Sequence, residues 1–508
     1  MRCRCLIPLV LVCGLSTLTS NTADAQVRLG PQGVIRPPDA KQPPVDGPRQ
    51  LSMAISGAPA PSPALKYSLQ LRDYERELGN ATSYYYRAIL QAQQTDGSHW
   101  IKVDDWLSRP LGDLSATETA ELLTQFNSIV HDVTQGTRRS DCNWDLQMER
   151  MTGLQTVEFL LPEMDQARKI SKLLALKARW HVQRGEFDEA IATLRTGYHF
   201  GQDVARMPVL IGGLVGIAIH GIMNNVVAEL IQQPGAPNLY WALAELPRPP
   251  VSLKTALQNE LNWPLRVFPV LARAESESLS AEQWQAELNQ LSEDLQRLTS
   301  YGGPSSNPLS GSWMMAAMIA NGYPRAVQQL VRRGMSEAEL RAMPAARVVA
   351  IYQARISREV ADELYKWQLL PPHQAWQGDQ QIDEILQKLN PVTGSGEQQE
   401  ILPVVSLLLP AVSAARRGET RCWADLNLLQ TVEAIRMHLA ERQELPRELS
   451  DITVVPVPLN PFTNRPFAYQ RSGDGATLET DWPDGLSIPK SHGWQLDLTL
   501  RKPSGDNR

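Results

Sequence analysis

The sequence predicts a mainly α-helical protein, in which antiparallel helical hairpins form a repeat-like array or bundle and a small β appendix follows. Three observations support this fold class. Leu, Ala, Gln and Glu are abundant and aromatic residues make up only 6% of the chain, which favours helices over a large β structure. Apolar residues recur at helical spacing between capping signals and Gly or Pro. After Arg442, short β-prone runs replace that pattern.

Residues 1–25 are typical of a secretory signal peptide. A basic start precedes an apolar run from Leu6 to Leu18, and Ala23-Asp24-Ala25 offers a small-residue cleavage site. The run is shorter than the roughly 20 residues of a membrane-spanning helix. We therefore expect cleavage after Ala25 and export to the periplasm or the extracellular space.

The charge balance argues against nucleic acid as a partner. The formal net charge is -6, and basic residues do not cluster. Nucleic-acid-binding proteins usually present a basic patch instead.

Two cysteines, Cys142 and Cys422, remain after removal of the leader. Their contexts are alike, Cys-Asn-Trp-Asp-Leu and Cys-Trp-Ala-Asp-Leu. In an exported protein the two can form a disulfide, and the alternative is a pair of buried free thiols. The spacing of a zinc site is absent from the sequence.

The mature chain divides into a linker, a helical body and a β module. Residues 26–64 are rich in Pro, Gly and Ala and predict a disordered linker. The helical body covers 65–445, where Ser115 with Glu118 and Ser336 with Glu339 form capping boxes, and Ser280 with Gln283 forms a weaker one. The helical patterns run over 69–93, 116–133, 164–184, 187–204, 208–231, 281–299, 324–332, 344–369 and 424–442.

Two strongly apolar stretches lie inside the body, at 209–223 and 402–415. Both are shorter than a bilayer span, so we expect buried helices and no stable transmembrane helix after signal cleavage. The stretch 209–223 contains four glycines that would let a neighbouring helix approach closely: Gly212, Gly213, Gly216 and Gly221.

Residues 446–503 predict a small β module. The β-prone runs are 452–457, 467–471, 476–479 and 494–500. Ser472-Gly473-Asp474-Gly475 lies between two of them and predicts a hairpin turn.

Residues 185–194 resemble part of a tetratricopeptide repeat. Gly185 breaks a helix, Phe187 is placed to pack inward, and Ala190 permits close helix contact. The resemblance implies a TPR-like helical array. An ordinary helical hairpin is the alternative.

Residues 446–480 resemble the C-terminal segment of G-type pseudopilins of type II secretion. The resemblance lies in the run from Val457 to Tyr469, where a Pro-rich turn leads into an aromatic-rich strand. Asn460 stands where that family has an acidic residue, and the polymerising N-terminal helix is missing. A borrowed C-terminal module is therefore the better inference.

The whole mature chain is similar to a group of uncharacterised exported helical proteins from planctomycete bacteria. The resemblance implies export and a shared architecture without an established activity. The segments that carry it are 84–88, 142–144, 173–179, 185–194, 214–218, 237–243 and the Pro-Phe turn after Val457.

Motifs for catalysis are missing from the sequence. G-x-S-x-G, H-E-x-x-H, the P-loop and the dinucleotide fingerprint do not occur, so no catalytic residue and no cofactor is predicted. His181, His199 and His220 lie on three successive predicted helices and are the weak candidates for a metal site.

The sequence therefore favours a non-enzymatic scaffold, or a protein that binds a protein or peptide in the periplasm or cell envelope. One alternative is a metal-dependent enzyme of unfamiliar type that uses the three histidines. Another is an envelope-assembly component that acts through the C-terminal module.

Overall fold

Helices dominate the computed structural model, which describes residues 49–158, 162–300, 308–389, 400–402, 404–405, 412–483 and 493–501. The predicted signal peptide 1–25 lies outside these residues, as does half of the apolar stretch 402–415. The helices are α1 (Thr82–Gln94), α2 (Gly97–Ser108), α3 (Ala116–Gln125), α4 (Asn127–Thr137), α5 (Gln155–Glu158), α6 (Pro162–Gln183), α7 (Phe187–Ala205), α8 (Leu210–Ile231), α9 (Tyr240–Ala244), α10 (Lys254–Leu261), α11 (Trp263–Val267), α12 (Pro269–Arg273), α13 (Ala281–Ser300), α14 (Pro308–Arg332), α15 (Glu337–Ala342), α16 (Ala345–Tyr365), α17 (Pro372–Leu389) and α18 (Val412–Arg442).

The predicted caps start their helices. The Ser115 side chain accepts a hydrogen bond from the Glu118 amide, and Ser336 begins α15 in the same way. At Ser280 the box is reciprocal, because the Gln283 side chain also accepts from the Ser280 amide at 2.9 Å. These bonds satisfy amides that the first helical turn leaves free.

Four predicted helices differ from the structure, and those predicted over 324–332 and 424–442 begin earlier, at Pro308 and Val412. The helix predicted over 69–93 begins only at Thr82, because Glu77–Asn80 forms a strand, β2, that pairs in parallel with β3 (Arg139–Asp141). The helix predicted over 116–133 divides at Phe126, whose side chain is fully buried and lies 4.7 Å from the Trp100 ring.

Helix α8 is the centre of the helical body and packs against α6, α7 and α18. Among the described residues it is the one helix long and apolar enough to cross a membrane by length and composition. Of its most apolar window, 61% is buried inside the protein. Burial on several sides by neighbouring helices accounts for its apolar character.

Three C-terminal strands and one strand from the beginning of the described chain form a sheet. In spatial order its strands are β1 (Arg49–Ile55), β8 (Trp494–Leu500), β7 (Gly475–Glu479) and β6 (Ala468–Ser472). A separate short ladder joins β4 (Leu459–Asn460) to β5 (Arg465–Pro466). The predicted turn joins β6 to β7, with Gly473 at φ +60°. The run predicted at 452–457 is not a strand, since Pro456 and the following Pro458 lack the amide that a ladder requires.

Strand β1 corrects the boundary of the predicted disordered linker 26–64. It pairs in parallel with β8 over seven residue pairs from Arg49 and Trp494 to Ile55 and Leu500. Met53 and Ile55 alternate into the core and are fully buried, while Ala54 between them is only partly covered. The alternation of Met and Ile provides the buried face that the Pro-rich composition around it concealed.

The apolar side chains form two hydrophobic clusters. The first unites helices α1–α4 and α6–α9, the second half of α18 and the sheet. The second is built from Leu210 and residues 251–415. The body predicted over 65–445 therefore contains two cores, and the β module packs into the first of them.

A buried ion pair lies where α18 meets the segment after β1 and the α8–α9 loop, within the first cluster. Glu433 and Arg436 on α18 are 0% and 1% exposed, with Nη1 donating to Oε2 at 2.9 Å. The same guanidinium donates to the carbonyls of Ser56, Ala236 and Pro237 at 3.1, 2.8 and 3.3 Å. It thus joins the segment after β1 and the α8–α9 loop to α18.

Candidate functional site

A cavity with a volume of about 790 Å³ lies at the end of α7. Three segments distant in sequence line it, 142–148, 199–208 and 247–255, together with Arg76. We call it the polar cavity. It reaches the surface, because the side chain of Arg206 in its wall is 50% exposed.

The wall 142–148 is a loop held by β2 and β3. The Asn80 side chain accepts from the Asn143 amide at 3.0 Å and donates to the Asn143 carbonyl at 2.8 Å. Asp145 and Gln147 adopt left-handed φ of 45° and 48°. This conformation is uncommon for residues other than glycine, so the loop has a specific shape that neighbouring contacts maintain.

Trp144 fastens that loop to the end of α7. Its Nε1 donates to the Asp203 carbonyl at 2.8 Å, and its ring stacks on Tyr85 at 5.7 Å. The Cys142 Sγ lies 3.8 Å from the same carbonyl.

A buried polar cluster forms the floor of the polar cavity. His199 and Asp203 are one turn apart on α7 and therefore share a face. Their side chains are only 4% and 5% exposed, and His199 Nε2 lies 3.8 Å from Asp203 Oδ2. Tyr85 Oη donates to the same oxygen at 2.5 Å.

Burial shifts the ionisation of both residues towards the neutral form. It raises the pKa of Asp203 from 3.8 to about 6, although Tyr85 and Arg206 oppose the shift. Burial, together with the positive charges of Arg76 and Arg206, lowers the pKa of His199 from 6.5 to about 4. At neutral pH the cluster thus holds a neutral imidazole beside a carboxylate.

These two shifts predict opposite pH effects on stability. A neutral Asp203 stabilises the fold fully below pH 3.8, and this stabilisation is lost as the pH rises through 6. A neutral His199 stabilises the fold fully above pH 6.5, and this stabilisation is lost as the pH falls through 4. As the pH falls from 6.5 to 4, the unfolding free energy of His199→Gln should rise by about 3 kcal/mol relative to that of wild type. Over the same interval, the unfolding free energy of Asp203→Asn should fall by about 3 kcal/mol relative to that of wild type.

Urea unfolding of the three proteins at half-unit pH intervals measures this difference. Parallel pH profiles for both variants and wild type would contradict the assignment of the two titrations.

Several polar atoms of the cavity wall lack a partner within the described part of the chain. His199 Nδ1 and Arg76 Nε are buried without a hydrogen bond. The nearest carboxylate oxygens to Arg76 and Arg206 lie 3.7 Å away, on Asp73 and Asp203, which is too long for a hydrogen bond. The Arg206 guanidinium, which is 50% exposed, therefore offers unused donors to a molecule that enters the cavity, whereas the two unpartnered nitrogens are buried.

The three histidines predicted as metal candidates have separate environments. His181 Nδ1 lies 2.8 Å from Glu186 Oε2, and the His220 ring packs on Tyr198 at 5.1 Å. Only His199 lines the polar cavity. In the described ranges, no group of three His, Cys, Asp or Glu side chains is arranged to hold a metal ion.

Of the two alternatives for the cysteines, the structure has the free thiols. Cys142 and Cys422 are both buried and unpaired. Burial raises the pKa of each thiol well above its ordinary value.

A second cavity of about 410 Å³ lies between α18 and residues 456–464. Several of its polar side chains are already engaged. Arg248 donates to Asn427 and Gln430 at 2.9 Å each, and Asn427 donates to the Leu459 carbonyl at 2.8 Å. These bonds attach the C-terminal segment to the helical body, while Trp423 Nε1 in the lining is buried without a hydrogen bond to the described residues.

Comparison of the chain with protein-family models, curated proteins and solved structures finds no match.

Proposed function

We propose that this chain is an exported, non-enzymatic binding protein of the periplasm or cell envelope, and that its polar cavity receives part of a peptide or protein segment. Export rests on the N-terminal 25 residues, which have the order of a signal peptide. The cavity volume of about 790 Å³ lies in the range of ligand sites.

The observation that carries the proposal is the unpartnered imidazole nitrogen of His199. A buried polar atom without a hydrogen bond costs about 1–3 kcal/mol, so folded proteins rarely retain one without a use. Here Nδ1 belongs to a residue that lines an accessible cavity. A bound segment would supply the missing partner.

We also propose that α6 and α7 form a TPR-like hairpin, and that this hairpin places the cavity at its open end. Gly185 adopts φ +73° in the turn between the helices. Ala178 and Ala190 are fully buried, which fits the close helix contact of such repeats. His199 and Asp203 then lie in the last turns of the second helix.

An affinity selection tests the proposal. Short synthetic peptides with free ends are passed over the immobilised chain, and retained peptides are identified by mass spectrometry. Thr255→Trp places a large side chain at the cavity wall from an exposed site, the second residue of α10. It should abolish retention.

Thr117→Trp is the matched control, because Thr117 is the exposed second residue of α3 and does not line the polar cavity. Peptides retained by wild type and by this control, but not by Thr255→Trp, would support binding in the cavity. Equal retention by all three proteins, or by none, would refute it.

A further inference from the structure

We infer that the polar cavity recognises a carboxylate, carried by a ligand with an apolar body. This inference rests on the proposed function and specifies the chemistry of the ligand. In the described part of the wall, the guanidinium groups of Arg76 and Arg206 have no close carboxylate, whereas Asp203 Oδ2 and the Asp203 carbonyl already accept hydrogen bonds.

Two acceptors of Asp203 in the wall are already engaged. Asp203 Oδ2 accepts from Tyr85, and the Asp203 carbonyl accepts from Trp144 at 2.8 Å. In contrast, within the described part of the chain the guanidinium groups of Arg76 and Arg206 make ion contacts of 3.7 Å or longer. A ligand that pairs with these guanidinium groups must bring acceptors, and a carboxylate is an acceptor-only group that matches the fork of an arginine.

The charge of the wall favours a single negative charge on the ligand. The lining contains two arginines, Arg76 and Arg206, and two acidic residues, Asp145 and Asp203. His199 is neutral at pH 7, since burial lowers its pKa to about 4. A monoanion suits this balanced wall better than a doubly charged phosphate, which the two aspartates would repel.

Part of the lining is apolar. Pro208, Pro247, Pro249, Pro250 and Val251 line the cavity together with the polar residues. These side chains offer rigid apolar surface and no donor, so the remainder of the ligand next to the carboxylate should be apolar.

Two sources of such a carboxylate exist, the C-terminus of a peptide and a free organic acid. The test measures binding at pH 7 by ligand-observed NMR with four probes: N-acetyl-Ala-Leu as the free acid, the same dipeptide as its amide, 4-methylpentanoate and inorganic phosphate. The free acid should bind at least tenfold more tightly than the amide, as expected for loss of a charge-assisted hydrogen bond.

Variants locate the effect. Arg206→Gln should weaken binding of the acid at least tenfold, while Arg341→Gln, an exposed arginine that pairs with Glu337 on α15, should leave it unchanged. Binding of both acids supports recognition of any small apolar carboxylate, and binding of the dipeptide acid alone supports recognition of a peptide C-terminus.

Other outcomes overturn the inference. If the amide binds as tightly as the acid, or if Arg206→Gln binds like wild type, the carboxylate assignment fails while peptide binding stands. Preferential binding of phosphate also overturns it. If no probe binds but the peptide selection succeeds, the ligand chemistry is wrong, and if both experiments fail the proposed function fails too.

Discussion

Replacing Arg436 by methionine should lower the free energy of unfolding by about 3–5 kcal/mol, because it leaves a buried carboxylate without its partner. Glu433 is fully buried, and burial already raises its pKa against the opposing effect of Arg436. The substitution also removes the donor to the carbonyls of Ser56, Ala236 and Pro237. Urea unfolding at pH 7, followed by circular dichroism, measures the loss.

The exposed pair on α15 provides the control. Arg341 and Glu337 lie 2.6 Å apart with side chains 68% and 56% exposed. Arg341→Met should therefore change stability by no more than about 0.5 kcal/mol. A loss in Arg436→Met as small as that of the control would show that the buried pair is not important for the first core.

Gly216→Ala should destabilise the contact between α7 and α8 by about 1–3 kcal/mol, because a methyl group has no room there. A Cβ at Gly216 would lie 2.7 Å from the Gly201 carbonyl oxygen and 2.7 Å from the Ala205 Cβ. The first of these atoms belongs to the backbone, which cannot move aside without shifting α7. Thermal unfolding detects the effect as a lower midpoint.

Gly221→Ala on the same helix is the matched control. A Cβ at Gly221 meets nothing within 4 Å, so the higher helix propensity of alanine should stabilise the protein by up to about 1 kcal/mol. If both substitutions destabilise the protein, the free space at Gly221 and the helix propensity of alanine do not determine the effect. If both stabilise it equally, there is no close contact at Gly216.

Local signals in the sequence predicted much of the fold. Caps at Ser115 and Ser336, the long apolar helix at 210–231, and the hairpin at 472–475 depend on neighbouring residues, and the structure has each of them. Strand β1 was missed because its identity depends on a partner more than 400 residues away. Such pairing leaves only a short alternation of Met53 and Ile55 in the sequence itself.

Among the residues of the polar cavity, His199 alone had been predicted as a candidate metal-binding residue. His199 was among the histidines singled out, but with His181 and His220 as its expected companions. The i, i+4 spacing to Asp203 was a signal that could have indicated their shared face. Arg76, Trp144 and the prolines at 247–250 meet His199 only through tertiary packing, which local periodicity does not encode.

The parallel ladder between β1 and β8 also determines how the protein would respond to tension. The chain enters β1 at Arg49, opposite Trp494, and leaves β8 at Leu500, opposite Ile55. A force that pulls the preceding segment away from the following one therefore slides the two strands along each other and loads all seven residue pairs together. Bonds loaded together resist force better than bonds opened one at a time, so the first core should resist a force applied between the segment before β1 and the segment after β8.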